Sequence, residues 1–262
     1  MSLRVFGTNP GKVHSLLDAF GQPVHSYSPL VAPQSFGSDY RLIEANNYGL
    51  ALKKLRTALP QGNAFHPLVS GLPRPLTFKE TLQFRIEDFN TSHNPDGTER
   101  SPEERNRLFL NYFDTCTGIH YNSGTDKFMI IPHCDQLITL NSSFSDPYVD
   151  VPYGTLQSIE LDRTQAKYNS FLTKQEVLRH KGWLALFEDD STLLRAYADI
   201  VFSLKEGNLM GFWLRNKTDV TSPELRAVYV SSIYSYADGN YYLDRNAHFL
   251  LKSNLKTEAA RI

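Results

Sequence analysis

The clearest helical pattern lies in the second half of the chain, where one stripe of apolar residues recurs at helical spacing. Its members are Leu193, Leu194, Tyr197, Ala198, Val201 and Phe202. A stripe of this width faces a hydrophobic core. The preceding segment opens with Thr173 and Glu176 at the spacing of a capping box, which marks a helix start. We therefore expect two helices, at 174–187 and 191–204, and expect the rest of the chain to pack around this pair.

Three further helices are predicted, at 13–20, 46–59 and 102–115. The first two carry apolar residues on one face, and the third begins at Ser101-Pro102-Glu103-Glu104. That sequence is the clearest start signal in the chain, because Ser caps, Pro suits the first helical position and Glu completes a capping box. The period of residues 77–89 is ambiguous, since its apolar positions fit a helix and a strand.

The remaining apolar runs predict strands in two groups. The first group is 118–121, 127–131 and 136–140, and the second is 209–215, 225–236 and 241–243. Asp238-Gly239 is a hairpin turn pair, and 247–251 fits a last strand or a short helix. We expect an α+β fold in which about five helices cover a mainly antiparallel sheet drawn from 118–140 and 209–243.

The amino-acid composition is consistent with this predicted fold. The chain has 262 residues, of which 41% are hydrophobic and 21% charged, as in ordinary globular proteins. We expect residues 1–262 to form a single globular domain. The proline-rich stretch 60–75 is the place where a sub-boundary would fall.

Charge and targeting signals narrow the class of protein. The formal net charge is -1 and no segment collects Lys and Arg, so no nucleic-acid partner is expected. No stretch approaches the roughly 18 apolar residues of a membrane span, and the start resembles no signal peptide. These features predict a cytoplasmic protein without a membrane partner. Self-association is compatible with them.

A phosphate-binding loop is suggested by Gly7-Thr8-Asn9-Pro10-Gly11-Lys12, between a predicted strand and a predicted helix. Backbone N–H groups at a helix start, with Lys12, suit a phosphate. The stretch resembles the opening of the inosine triphosphate pyrophosphatase family, a strand, then T-N-x-G-K, then a helix. The resemblance covers about the first twenty residues and implies nucleotide triphosphate contacts for Asn9 and Lys12, with Gly11 between them. The alternative is a tight turn between strand and helix.

The densest acidic cluster is Glu188-Asp189-Asp190. Adjacent carboxylates suit Mg²⁺, which a triphosphate hydrolase would need to neutralise its substrate. Under that hypothesis Mg²⁺ is the cofactor; otherwise no cofactor is expected. The alternative is helix capping, because an acidic residue before a helix complements its dipole.

Cys116, His120, His133 and Cys134 combine two thiols with two imidazoles, as a zinc site does. The adjacency of His133 and Cys134 disfavours a shared ion, because neighbours on a strand point to opposite faces. The pair Cys116 and His133 would alternatively serve a Cys–His hydrolase as nucleophile and base. Free, buried thiols without chemistry and without a structural metal are the default expectation.

Aromatic residues near the predicted hairpin suggest a binding surface. Tyr234, Tyr236, Tyr241 and Tyr242 flank the Asp-Gly turn. They would line a ligand or partner surface, and the alternative is packing between aromatic residues of neighbouring strands. No set of residues has matched acid, base and nucleophile spacing. We therefore expect a binding or assembly module, and keep the pyrophosphatase-like hydrolase and the Cys–His hydrolase as alternatives.

Overall fold

Helices and a largely antiparallel sheet share the described part of the chain, so the predicted α+β class is confirmed. The structure is a computed structural model. It describes residues 40–45, 48–58, 75–94, 96–109, 113–139, 148–149, 158–204, 210–230 and 247–252.

Seven α-helices lie in these residues. They are α1 Tyr48–Ala58, α2 Phe78–Asn90, α3 Pro102–Asn106, α4 Asp135–Ile138, α5 Lys174–Val177, α6 Lys181–Leu186 and α7 Ser191–Leu204. Short 3-10 turns occupy Arg163–Gln165 and Lys217–Asp219. None of the described helices is long and apolar enough to cross a membrane.

Nine strands occur in the same part of the chain. They are β1 Tyr40–Ala45, β2 Phe113–Tyr121, β3 Lys127–Ile131, β4 Tyr148–Val149, β5 Ile159–Asp162, β6 Phe171–Leu172, β7 Met210–Gly211, β8 Glu224–Val230 and β9 Ala247–Lys252. Seven of them join one sheet, while β6 and β7 form a separate two-stranded sheet.

The large sheet is organised on β2. This strand pairs antiparallel with β3 on one side and β8 on the other, and β5 and β4 extend those sides. Strand β9 meets β2 in one parallel pair, Asp114 with Phe249, and pairs antiparallel with β1. Every other described ladder is antiparallel, as predicted.

The core lies between this sheet and two long helices. Leu194, Tyr197, Ala198 and Val201 of α7 are buried, which confirms the predicted stripe; its outer members Leu193 and Phe202 are partly buried. Phe78 and Leu82 of α2 join the same cluster, as does Ile119 of β2. Burying a large apolar side chain contributes about 1.5–3 kcal/mol, so this layer is the main source of stability.

Three helix starts are fixed by local chemistry. The hydroxyls of Thr77, Ser101 and Thr173 each accept a hydrogen bond from a backbone N–H three residues on, and the Glu at that position bonds back. The boxes at Ser101 and Thr173 were predicted. The box at Thr77 settles the ambiguous period of 77–89 as a helix, because it satisfies two otherwise unpaired N–H groups there.

The predicted helix 102–115 is wrong beyond Asn106. After a turn at 107–109, residues 113–121 form β2, the central strand. Thr115, Thr117 and Ile119 are β-branched, which favours a strand. Partners on both sides outweigh the capping box, whose influence ends within the first turn.

Two other boundaries differ from the predictions. Residues 136–140 were expected to be a strand, but Asp135–Ile138 form the helix α4, in which Leu137 and Ile138 are buried. The predicted helix 174–187 is two helices, α5 and α6. It breaks at His180, whose side chain accepts a hydrogen bond from the backbone of Trp183 and so starts a new helix.

The predicted strand 209–215 is short. Within the described residues only Met210 and Gly211 are strand. Beyond them the Asn169 backbone N–H donates to the Phe212 carbonyl, and its side-chain oxygen accepts from the Leu214 N–H. Asn169 therefore makes the hydrogen bonds to residues 212 and 214 that a neighbouring strand would otherwise make. Strand β8 begins one residue before the predicted 225, and 247–251 is confirmed as a strand.

Some predictions remain outside the described residues, and four strands lie outside the predicted strand ranges. The helix 13–20, the strand 241–243, the hairpin turn and most of the 60–75 stretch belong to the first group. Strands β1, β4, β5 and β6 belong to the second. The helix expected at 46–59 is confirmed as α1, and the single-domain expectation stays a prediction.

A buried ion pair holds the end of α2 to the start of α3. Arg100 and Asp88 have side chains only 5% and 8% exposed, with 3.0 Å between nitrogen and oxygen. Arg100 also donates to the Asp88 and Glu104 carbonyls, at 2.7 and 2.8 Å. One guanidinium thus satisfies acceptors from both segments.

We predict that Arg100→Leu lowers the free energy of unfolding by about 3–5 kcal/mol, because the Asp88 carboxylate stays buried without its partner. Urea unfolding of the purified protein measures this. The double variant Asp88→Leu/Arg100→Leu should recover part of the loss, since no charge is then stranded. A single variant that costs under about 1 kcal/mol would contradict the role given to this pair.

Candidate functional site

Cys116, a proposed nucleophile, lies in a bulge of β2. Asp114 faces Tyr229 and Gly118 faces Ala227, so four steps along β2 match two along β8. Bulges bend a strand and leave residues outside the regular ladder. Cys116 therefore lies where the hydrogen-bond ladder between β2 and β8 is interrupted.

The polar groups of Cys116 all have backbone partners. The thiol is fully buried and donates to the Pro75 carbonyl at 3.2 Å, and the N–H donates to the Leu76 carbonyl at 3.0 Å. The Cys116 carbonyl accepts from the Cys134 N–H at 3.0 Å. These contacts join β2 to the segment before α2 and to the segment after β3, which is a structural role.

His133 and Cys134 occupy different environments although they are adjacent. His133 is exposed, whereas Cys134 is buried and burial raises the pKa of its thiol to about 11. A thiol with so high a pKa is almost wholly protonated at neutral pH and is a poor nucleophile. The Cys–His hydrolase stays a prediction, and the hydrogen bond from Cys116 to a carbonyl gives it no support.

Metal sites were proposed at two places, the Cys and His set and the acidic run 188–190. His120 is fully buried in β2, paired with Met129 and Leu225 on its two sides. Among the described residues, which include all seven proposed ligands, no three His, Cys, Asp or Glu side chains are placed to hold one ion. Both metal sites stay predictions that this geometry does not support.

The acidic run ends one helix and begins another. The Glu188 and Asp189 N–H groups donate back to the Ala185 and Leu184 carbonyls, at 3.1 and 2.9 Å. Both residues have positive φ, 53° and 60°, so the turn follows the Schellman pattern with a Glu where Gly is usual. The Asp190 carboxylate accepts from the Leu193 N–H at 3.0 Å and caps α7, which confirms the capping interpretation for Asp190.

The remaining candidates lie outside the described residues. They are the phosphate-loop residues Asn9, Gly11 and Lys12 and the tyrosines Tyr234, Tyr236, Tyr241 and Tyr242. Their proposed roles, and with them the pyrophosphatase-like hydrolase, stay predictions.

An aromatic surface that the sequence interpretation did not single out lies on the two-stranded sheet. Phe171 of β6 and Trp213, just after β7, are partly exposed and pack edge to face with ring centres 5.6 Å apart. A Cβ on Gly211 would lie 2.6 Å from the Trp213 indole nitrogen and 2.8 Å from the Ser170 carbonyl. Gly211 is therefore required for the indole to lie against the backbone.

The direction of Trp213 follows from alternation along the chain. Phe212 and Leu214 are buried, while Trp213 and Arg215 are partly exposed on the other side. The sequence predicted a strand at 209–215 from its apolar residues, but not that Trp213 would lie beside Phe171, which is 42 positions away from it.

The partly exposed Arg215 continues this surface beyond Trp213, and a buried carboxylate supports it. Glu224 is buried and lies 3.3 Å from Arg215 and 3.0 Å from Arg226. The Arg215 N–H donates to the Tyr121 hydroxyl at 3.2 Å, and the Arg163 guanidinium lies over the Tyr121 ring. We call Phe171, Trp213 and Arg215 the outer surface.

His180 supports the outer surface from beneath. Its Nδ1 accepts from the Trp183 N–H at 3.3 Å and its Nε2 lies 2.9 Å from the Lys167 carbonyl, so the geometry assigns the proton to Nε2. The ring stacks on Phe212, with 5.5 Å between centres, and Tyr168 packs edge-on. Burial lowers the pKa of His180, with the Lys167 carbonyl and Glu176 opposing the shift.

We predict a pH-dependent stability from this histidine. Because its pKa is lower in the folded than in the unfolded chain, the unfolded chain binds more protons between the folded pKa and about 6.5. The stability is complete above about pH 6.5 and falls as pH decreases toward the folded pKa. Urea unfolding between about pH 8 and pH 5.5 measures this slope.

His180→Asn is the matched control, because Asn also caps a helix but does not titrate. The slope of unfolding free energy against pH should be shallower in this variant than in the original chain. Equal slopes would show that His180 does not cause the effect.

We also predict that both cysteines resist alkylation in the native protein. Iodoacetamide at about pH 8 should modify neither thiol in the folded protein, because both are buried. Both should react after denaturation, because neither is in a disulfide. Mass spectrometry counts the adducts. His133→Cys places a thiol on the adjacent exposed position and should react natively; rapid modification of Cys116 would instead favour the hydrolase alternative.

Comparison with known proteins gives a fold but no family. No protein-family model matches this sequence, and no curated protein matches it. One solved structure, described as "Accommodation of massive sequence variation in Nanoarchaeota by the C-type lectin fold", is similar, with a TM-score of 0.52 and 12% sequence identity. The similarity covers 83% of this chain and 100% of that chain. The chain therefore has a structural neighbour with the C-type lectin fold, and at this identity the comparison shows the fold alone.

Proposed function

We propose that this protein is a binding module that contacts its ligand through the outer surface. The observation that carries the proposal is the Phe171–Trp213 pair, two partly exposed rings held edge to face on the small sheet. Tryptophan and other aromatic residues are enriched at the centres of binding surfaces, where they bury large areas at little cost in conformational entropy.

The framework below supports this role. Phe212 and Leu214 anchor the segment in the core, and the side chain of Asn169 accepts from the Leu214 N–H at 2.5 Å. Trp213 therefore has buried neighbours on both sides in the chain. A binding residue on such a rigid support loses less entropy when its ligand docks.

The structural neighbour supports the same proposal. That structure is described as an accommodation of massive sequence variation by the C-type lectin fold. A fold that tolerates such variation keeps its framework while other positions change. We propose the same division here, with the buried cluster as framework and the outer surface as the part that selects a ligand. The cytoplasmic location remains part of the proposal.

We predict that Trp213→Ala weakens ligand binding by about 2 kcal/mol or more, a loss of roughly 30-fold, because the central ring is removed. Ligands would be selected from a random peptide display library on immobilised protein and measured by calorimetry. Trp213→Phe should retain part of the affinity.

Phe202→Ala is the matched control, since Phe202 is a partly buried aromatic residue of α7 and does not belong to the small sheet. It should bind the selected ligands unchanged. Equal affinity of the Trp213→Ala and original proteins would remove the outer surface from the proposal. Self-association that Trp213→Ala abolishes in sedimentation would identify the partner as a second copy of the chain.

A further inference from the structure

Arg163 begins the 3-10 turn after β5 and lies at the end of the large sheet. Its N–H donates to the Asp126 carbonyl at 2.9 Å, and its guanidinium carbon is 5.5 Å from the centre of the Tyr121 ring. The residue is partly buried, and its Nε is inaccessible to solvent and without an acceptor. Within the described residues the Arg163 side chain has no hydrogen bond and no ion pair.

The carboxylates nearby are already engaged. Asp126 pairs with Lys217 at 3.0 Å, and Asp162 accepts from the Thr164 N–H and hydroxyl at 2.8 and 2.7 Å. The buried Glu224 is shared by two other arginines, Arg215 and Arg226. Arg215 and Arg226 thus share the Glu224 carboxylate, while no carboxylate of the described residues pairs with Arg163.

A second donor without an acceptor lies in the same region. The Tyr168 hydroxyl is buried and has no hydrogen-bond partner in the described part of the chain. Burial raises the pKa of Tyr168 to about 12, and both Asp162 and Arg163 act on it electrostatically. The hydroxyl thus keeps its proton at neutral pH. Like the Arg163 Nε, it is a hydrogen-bond donor without an acceptor.

We propose that Arg163 is the anchor of an oxyanion-binding site, which takes a carboxylate or phosphate group of the ligand. A guanidinium presents five N–H donors in a planar fork that matches two oxygens of such a group. The Tyr121 ring packs against the guanidinium on one side, and Arg215 and Arg226, which share the Glu224 carboxylate, add positive potential. Tyr168 supplies a further donor when the bound group draws its hydroxyl toward Arg163.

This inference deepens the proposed function, on which it rests, by naming a chemical group of the ligand. The Tyr121 hydroxyl accepts from the Arg215 N–H, so the arginine site adjoins the outer surface. The ligand would lay an apolar part on Phe171 and Trp213 and its oxyanion on Arg163.

The test uses citrate as the carboxylate probe and inorganic phosphate as the phosphate probe, each against sodium chloride of equal ionic strength. Thermal unfolding and calorimetry of the full chain measure binding. We expect at least one probe to raise the melting temperature above the chloride control, and Arg163→Ala to weaken that binding at least tenfold. The better probe identifies the group.

Two variants separate a specific site from general charge. Arg163→Lys keeps the charge without the planar fork and should bind between the original protein and Arg163→Ala; it also decides the question if the alanine variant does not fold. Arg195→Ala, which removes an exposed arginine of α7, should bind as the original protein does. Equal binding by Arg163→Ala, or stabilisation no greater than that by chloride, would overturn the site. Peptide selection with Trp213→Ala still decides the proposed function in that case.

Discussion

A single buried guanidinium sets how the main elements of this fold meet. Arg85 of α2 is fully inaccessible to solvent and donates to the Tyr197 hydroxyl of α7 at 2.8 Å. Its guanidinium carbon lies 5.6 Å from the Phe109 ring centre and 5.3 Å from that of Phe113, the first residue of β2. Burying this charge is costly, so only a packing that keeps these contacts is stable. Helices α2 and α7 and the central strand are thereby held in one arrangement.

Contacts between buried aromatic rings connect these elements to the small sheet. Phe78 of α2 lies 5.8 Å, centre to centre, from Trp183 of α6, and Trp183 lies 6.1 Å from Phe212 beside β7. Gly182 lets these rings approach, since a Cβ there would lie 2.7 Å from Phe212. A continuous set of packed rings therefore links the buried guanidinium to the segment that presents Trp213. The outer surface is fixed by the same interior that stabilises the fold.

The candidate site shows why residue type alone misleads. Cys116 and His133 are the residue types that a nucleophile and base require, but Cys116 bonds to backbone groups of neighbouring segments and His133 is exposed. Trp213 and Arg163 carry no motif. They acquire significance because folding places one beside Phe171 and the other over Tyr121. Such pairs are separated widely in sequence, and no local pattern specifies them.

Features that depend on neighbouring residues were predictable from the amino-acid order. The capping boxes at Ser101 and Thr173, the buried stripe of α7 and strand β3 involve hydrogen bonds or periods that span only a few positions. The helix expected at 102–115 failed because β2 obtains its hydrogen bonds from β3 and β8, and β8 is more than a hundred residues away from it in sequence. Long-range pairing of this kind outweighs local propensity. Long-range pairing exists only once the chain has folded, and it determines the positions of the central strand and the outer surface.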